Sequence, residues 1–269
     1  MSLYAEGLTV LTVSSLAAMK QAGEKISCLT AYDASFSALL DQAGIDVLLV
    51  GDSLGMVIQG HNSTLPVTID EMVYHSRSVA SARKRAFVVA DLPFASYATP
   101  EQALQNAARL MQAGGVQMVK LEGAKIAVIN FLVEQGIPVC GHLGLLPQSV
   151  NRLGGYKVQG RDQQQAQRIL ADAEQIEQAG AGLLVLECVP AALAAAISKR
   201  LTIPVIGIGA GLDCDGQVLV LYDMLNISVG KRPRFSKNFM ADASSIDEAV
   251  RHYHHAVKNA QFPGPEHSY

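Results

Sequence analysis

Paired cysteines are the first thing this chain lacks. Its four, Cys28, Cys140, Cys188 and Cys214, are scattered without a CxxC pair, so neither a structural zinc site nor a disulfide framework is indicated. Two of them, Cys140 and Cys188, fall in predicted buried strands, where a thiol serves as a small apolar side chain in a reducing compartment. A basic excess is missing too. Lys and Arg number 21 against 24 Asp and Glu, a net charge of −3, which argues against nucleic acid and anionic membranes as partners. Long apolar runs are absent: strand-like runs such as Val47–Val50 are too short to cross a bilayer. Residues 1–6 carry no basic stretch leading into an apolar one, so no signal peptide is expected and the chain reads as cytoplasmic. There is no P-loop and no GxGxxG in a dinucleotide context. No linker, repeat or low-complexity segment divides the chain, and 1–269 reads as one domain.

What is present is apolar and regularly spaced. Hydrophobic residues make up 49% and charged residues 17%, enough for a large core. Eight short apolar runs read as buried parallel strands: 26–31, 46–52, 87–92, 117–122, 138–143, 183–187, 204–208 and 217–222. Amphipathic stretches alternate with them, at 35–43, 124–135, 163–179, 191–199 and 245–259. Two more carry start signals: Thr68 with Glu71 forms a capping box, and Thr99 precedes Pro100 at the first helical position and Gln102 at the third. The second of these shows Leu104, Ala107, Ala108 and Met111 on one face and stops at Gly114. The pattern predicts an α/β fold, a (β/α)8 TIM barrel, with an extra N-terminal helix near 15–22 closing its bottom. The gap between Ile208 and Gln217 is too short for a full helix, so the seventh crossover reads as a loop or single turn. The tail, 262–269, reads as flexible.

The informative feature is the position of the charges. Asp52, Asp91, Glu122, His142 and Glu187 stand at the C-terminal ends of five predicted strands, where barrels build active sites. Strand alternation puts Leu48, Val50 and Asp52 on one face, likewise Phe87, Val89 and Asp91, then Met118, Lys120 and Glu122, then Cys140 and His142, then Leu183, Val185 and Glu187. If those faces point inward, the five groups and Lys120 share one cavity. Any one acid alone reads equally as a helix cap; five from separate strands do not. Clustered carboxylates repel at low dielectric, and a hard divalent cation such as Mg2+ removes the conflict. Asp52 and Asp91 are then the natural direct ligands, with Glu122 bound directly or through water. Apolar neighbours around Glu187 predict a raised pKa and a better base. Lys120 reads either as a partner for a substrate carboxylate or carbonyl, or as a salt bridge to Glu122 or a neighbouring acid. His142 reads as a polar partner or as a core histidine. Gly207-Ile-Gly-Ala-Gly211 offers amides to an anion or makes a tight turn, and residues 141–160, long and aperiodic, read as a functional loop.

At these residues the chain resembles the ketopantoate hydroxymethyltransferase family. The matching stretches include Leu29-Thr-Ala-Tyr-Asp33, Leu49-Val-Gly-Asp-Ser-Leu-Gly-Met56, Gly60-His-Asn-Ser-Thr-Leu-Pro-Val67, Ala90-Asp-Leu-Pro-Phe94, Val119-Lys-Leu-Glu-Gly123, Val139-Cys-Gly-His-Leu-Gly144, Gly154-Gly-Tyr-Lys-Val-Gln-Gly160 and Val185-Leu-Glu-Cys-Val-Pro190. The resemblance implies a barrel of the phosphoenolpyruvate/pyruvate enolate type that transfers a hydroxymethyl group from 5,10-methylenetetrahydrofolate to 3-methyl-2-oxobutanoate, giving 2-dehydropantoate for pantothenate and coenzyme A synthesis. It implies Asp52 and Asp91 as Mg2+ ligands with Glu122 as an outer one. Ser53 and Lys120 would hold the keto acid, Glu187 would act as the base, and His142 as its polar neighbour. It also implies a homo-oligomer, a decamer in many members. The pattern departs at Ala124, where the family carries a second glycine. Two other readings stand beside it: a Mg2+-dependent enolate lyase or mutase without folate, and a barrel that only binds a keto acid or a partner protein.

Overall fold

The computed structural model describes residues 10–230 and 232–269; residues 1–6, read above for a signal peptide, lie outside them. Eight parallel strands pair in chain order and close on themselves: β1 (Ile26–Thr30), β2 (Val47–Val50), β3 (Phe87–Asp91), β4 (Met118–Glu122), β5 (Val139–Gly144), β6 (Leu183–Glu187), β7 (Val205–Ile208) and β8 (Gly216–Leu219). Every strand residue is buried except Gly144 and Glu187, which end β5 and β6. That is why the strands read as unbroken apolar runs: one face meets the barrel interior and the other meets helices. The helices are α1 (Val13–Gln21), α2 (Ala34–Gln42), α3 (Leu54–Val57), α4 (Ile69–Ala82), α5 (Pro100–Gln112), α6 (Ile126–Glu134), α7 (Val150–Leu153), α8 (Gln163–Gln178), α9 (Ala191–Arg200), α10 (Leu221–Met224) and α11 (Ile246–Lys258).

The predicted caps form. Thr68 accepts from the Glu71 amide while the Glu71 carboxylate accepts from Thr68, and Thr99 caps Gln102 ahead of Pro100. On α5 the fully buried stripe is Ala103, Ala107 and Leu110, displaced by one position from the predicted face; Leu104 and Met111 sit half-buried at its edge. Helix α1 does close the bottom of the barrel. Its Leu16 and Met19 join Ile26, Cys28, Val47, Phe87, Met118 and Leu183 in the inner cluster. Lys20 locks it there, its ammonium bonding the Ser198 and Ile203 carbonyls at 2.8 and 2.9 Å and the Asp215 carboxylate at 2.8 Å.

The short seventh crossover is real. No helix lies between β7 and β8, and Gly209 and Gly211, at φ +60° and +87°, turn the chain. The Asp215 carboxylate accepts from the Val205 amide at 2.8 Å and holds the return. Three expectations need correction. The eighth strand stops at Leu219, and Tyr222 lies in α10 instead. The loop 141–160 is partly ordered into turns: β5 runs on to Gly144, a 3-10 turn covers Pro147–Ser149, and α7 follows. The tail 262–269 is docked rather than loose. Phe262 is buried in an aromatic cluster with Phe239 and Tyr253, and the Tyr269 carbonyl accepts from the Ala191 amide at 2.8 Å. No helix among the described residues is long and apolar enough to cross a membrane.

Candidate active site

A cavity of about 700 Å3 opens at the C-terminal ends of the strands, and Asp52, Ser53, Asp91, Lys120, Glu122, His142 and Glu187 all line it. The alternation argument holds for four strands. Val89, Met118, Cys140 and Val185 pack inward, so Asp91, Lys120 with Glu122, His142 and Glu187 follow onto the same face. It fails for β2. Leu48 and Val50 pack outward in the helix layer, whereas Val47 and Leu49 face in. The inward position beyond Leu49 is Gly51, which has no side chain. The strand has ended by then, and a turn at 52–53 brings Asp52 back over the cavity. The Asp52 amide donates to Asp91 Oδ2 at 3.0 Å and fixes that turn.

Three carboxylates and one ammonium form the floor. Lys120 Nζ lies 2.5 Å from Asp91 Oδ1, both side chains nearly inaccessible. Burial works against the Lys120 charge, but Asp91, Glu122 and Asp52 outweigh it and hold the ammonium protonated. Burial pushes Asp52 and Glu122 well above the usual carboxylate range. The Asp91 charge adds to the rise at Asp52, and the Asp52 charge to the rise at Glu122. The salt bridge read for Lys120 is therefore present, with Asp91 as its partner.

Glu187 is placed differently. No donor among the described residues makes a good hydrogen bond to its carboxylate, and burial raises it to about 8. His142 stands between the acids, Nδ1 3.7 Å from Glu122 Oε1 and Nε2 3.3 Å from Glu187 Oε2. Burial, helped by the Lys120 ammonium, keeps the ring neutral, so neither approach is an ion pair, and neither nitrogen has a well-directed partner. The backbone beside Glu187 is unusual. Cys188 adopts φ +48°, and Gly144 at φ +93° comes so close that a Cβ there would lie 2.1 Å from the Glu187 carbonyl oxygen. The Leu145 amide donates to the Glu187 carbonyl and the Gln159 amide to the Cys188 carbonyl, at 2.8 and 2.9 Å. Both ends of the 145–160 segment are thus pinned to the backbone of the candidate base. Cys188 itself lies just past β6, and all four cysteines are buried and free.

Sequence reasoning missed several contributors. Tyr32 is buried beneath Ser53, its hydroxyl 2.8 Å from Ser53 Oγ. Gln148 turns inward from the 3-10 turn and bonds Asp52, and Tyr97 bonds Gln148. Tyr269 and Arg234 wall the outer cavity, the guanidinium 5.3 Å from the Tyr269 ring centre. Tyr32 belongs to Leu29-Thr-Ala-Tyr-Asp33, a stretch that matches the family; the others carry no periodic signal.

The donor chemistry fits a hard cation. Asp52, Asp91 and Glu122 offer only oxygen, and three carboxylates face a single ammonium, so a divalent ion would offset the burial, and the repulsion added to it, that raise Asp52 and Glu122. As the side chains stand, no three His, Cys, Asp or Glu among the described residues form a ready ligand set. Lys120 and Gln148 hold the oxygens of Asp91 and Asp52.

Comparison with known proteins shows the family of the chain. A family model described as ketopantoate hydroxymethyltransferase matches residues 10–265. The chain is 59% identical over 261 residues to the 3-methyl-2-oxobutanoate hydroxymethyltransferase of Nitrosococcus oceani, covering 96% of this chain and 99% of that one. It is 60% identical over 262 residues to the protein of the same name from Thiobacillus denitrificans, covering 96% and 99%. Its fold matches that of phosphoenolpyruvate phosphomutase from Streptomyces platensis subsp. rosaceus, with a TM-score of 0.59 at 16% identity over 80% of this chain and 83% of that one.

Proposed function

Since the chain belongs to the ketopantoate hydroxymethyltransferase family and is an enzyme, we propose that it transfers a hydroxymethyl group from 5,10-methylenetetrahydrofolate to 3-methyl-2-oxobutanoate, through an enolate, giving 2-dehydropantoate. The observation that carries the chemistry is Glu187: a carboxylate raised by burial, with no well-made hydrogen bond from a donor among the described residues, that faces the same cavity as the Lys120 ammonium and the oxygen ligands Asp52, Asp91 and Glu122. Asp52 and Asp91, with Glu122 behind them, would hold a divalent cation such as Mg2+. That ion would supply positive charge beside the keto acid's carbonyl oxygen, where negative charge develops.

The remaining steps belong to the chain. Ser53 and Lys120 hold the keto acid, the ammonium facing its carboxylate or carbonyl. Glu187 takes the proton from C3 and leaves a carbanion conjugated with the carbonyl. That carbon bonds to the methylene carbon of the folate, and both carbon–nitrogen bonds of the methylene break. One water supplies the hydroxyl oxygen; the proton on Glu187 goes to one departing nitrogen and the proton that the water releases goes to the other. Neutral His142 lines this path without competing for the proton. The segment 145–160 covers the cavity beside Glu187 and keeps bulk water from the one-carbon unit.

Proton NMR of C3-deuterated 3-methyl-2-oxobutanoate tests this. Mg2+-dependent exchange, followed by 2-dehydropantoate once the folate is added, is the expected result. Exchange without product would move the reading to a folate-independent lyase or mutase, and no exchange would leave only a binding barrel. The cytoplasm is the compartment this metabolic role implies. A homo-oligomer is also expected from the resemblance to the family. Sedimentation at the mass of one 28.6 kDa chain would overturn that.

A further inference from the structure

One residue of the covering segment bonds both Asp52 and Glu122. Gln148 is buried, although it comes from a short 3-10 turn in a surface excursion. Its side-chain nitrogen donates to Asp52 Oδ2 at 2.8 Å and to the Leu92 carbonyl at 3.0 Å, using both hydrogens. Its side-chain oxygen accepts from the Tyr97 hydroxyl at 2.5 Å, and the Tyr97 oxygen in turn accepts from the Glu122 amide at 3.3 Å. Its own backbone amide donates to Glu122 Oε2 at 3.1 Å. These partners fix the orientation of the carboxamide. Reversed, its oxygen would face the Asp52 carboxylate and the Leu92 carbonyl, two acceptors with no proton between them.

We propose that Gln148, through Asp52 and Glu122, is a positioning residue that makes the seating of segment 145–160 and the binding of a divalent cation at Asp52, Asp91 and Glu122 one coupled event. The proposal rests on the metal site proposed above. With the segment seated, the amide sets the rotamer of Asp52 and the backbone N–H sets that of Glu122. With the segment lifted, both carboxylates lose a donor and are free to rotate. The coupling is reciprocal: whatever the seated segment contributes to cation affinity, the cation must return as closure of the segment. Arg152, Lys157 and Arg161 are exposed along the same stretch, so closure is readable as resistance to trypsin.

The test is calorimetric titration with Mn2+ and, in parallel, tryptic cleavage at 152–161 with and without Mn2+. The proteins are the wild type, Gln148→Met, which keeps the length and removes the donors, and Tyr97→Phe, which removes one hydroxyl. In Gln148→Met, Mn2+ affinity is expected to fall about 10–100-fold, the range for removing a group that orients a ligand. Mn2+ is expected to slow cleavage of the wild type and to have no effect on that of Gln148→Met. Tyr97→Phe is expected to shift both readouts in the same direction by a smaller factor, and it serves alone if Gln148→Met does not fold. A packing role would raise cleavage with and without Mn2+ alike and leave the affinity unchanged. Affinity within about twofold of wild type, or an unaltered Mn2+ effect on cleavage, overturns the coupling. A wild type that binds no Mn2+ overturns the metal site itself, and this role with it.

Discussion

Substitution of Glu187 by Gln is expected to slow deuterium loss from C3 of 3-methyl-2-oxobutanoate by about 10²–10⁴-fold, the span a general base supplies. Keto-acid and Mg2+ binding are expected to change little, because Glu187 bonds neither Asp52, Asp91 nor Lys120. The amide has the same shape and cannot take a proton. The pH profile sharpens the test. A base works only when ionised, and burial raises Glu187 to about 8. Exchange by the wild type is therefore expected to climb with pH and level off above its apparent pKa. A cation bound nearby favours the carboxylate, which moves that rise to lower pH. The Gln variant is expected to lose the rise. Unchanged exchange, or an unchanged profile, would remove Glu187 from the proton transfer.

Much of this site was legible because barrel geometry is repetitive. Strands buried on both faces must be apolar, so the polar residue that ends each run stands out, and alternation then says which side it takes. Asp91, Lys120, Glu122, His142 and Glu187 follow from that alone. Asp52 was found for the wrong reason. Alternation assumed that β2 continued through it, whereas the strand stops at Val50 and a turn carries the carboxylate inward. Gln148 and Tyr97 were invisible. Each lies in an aperiodic stretch between elements, and nothing local distinguishes a glutamine that turns inward from one that faces water. The tail was misread because proline and glycine near Phe262 signal a loose chain, while what fixes it is a buried ring contact with Phe239 and Tyr253 from distant positions. In the Gly207–Gly211 motif, Gly207 and Ile208 end β7, and Gly209 and Gly211 make the turn that the short spacing demanded.

The second large effect is expected at Lys120. Among the described residues it is the one ammonium that contacts the floor of Asp52, Asp91 and Glu122, and it is 5% exposed. Lys120→Met keeps most of the volume and leaves three buried carboxylates with no counter-charge. Breaking a buried pair by removing one partner costs about 3–5 kcal/mol, and urea unfolding with a chelator present is expected to show a loss of that order. The sign of its pH dependence follows from the acids. Lys120 lowers the pKa of both Asp52 and Glu122, so its removal raises their folded-state values further above the unfolded ones. A raised carboxylate is stable in its protonated form at low pH, and that stability is lost as pH rises through the folded value. The penalty is therefore expected to be largest above neutrality and to shrink in mild acid. Millimolar Mg2+ is expected to restore part of the loss at high pH, because the ion takes over the neutralising charge. A loss below about 1 kcal/mol, or one independent of pH, would mean that the Lys120–Asp91 contact is not the ion pair on which the electrostatics of the floor depend.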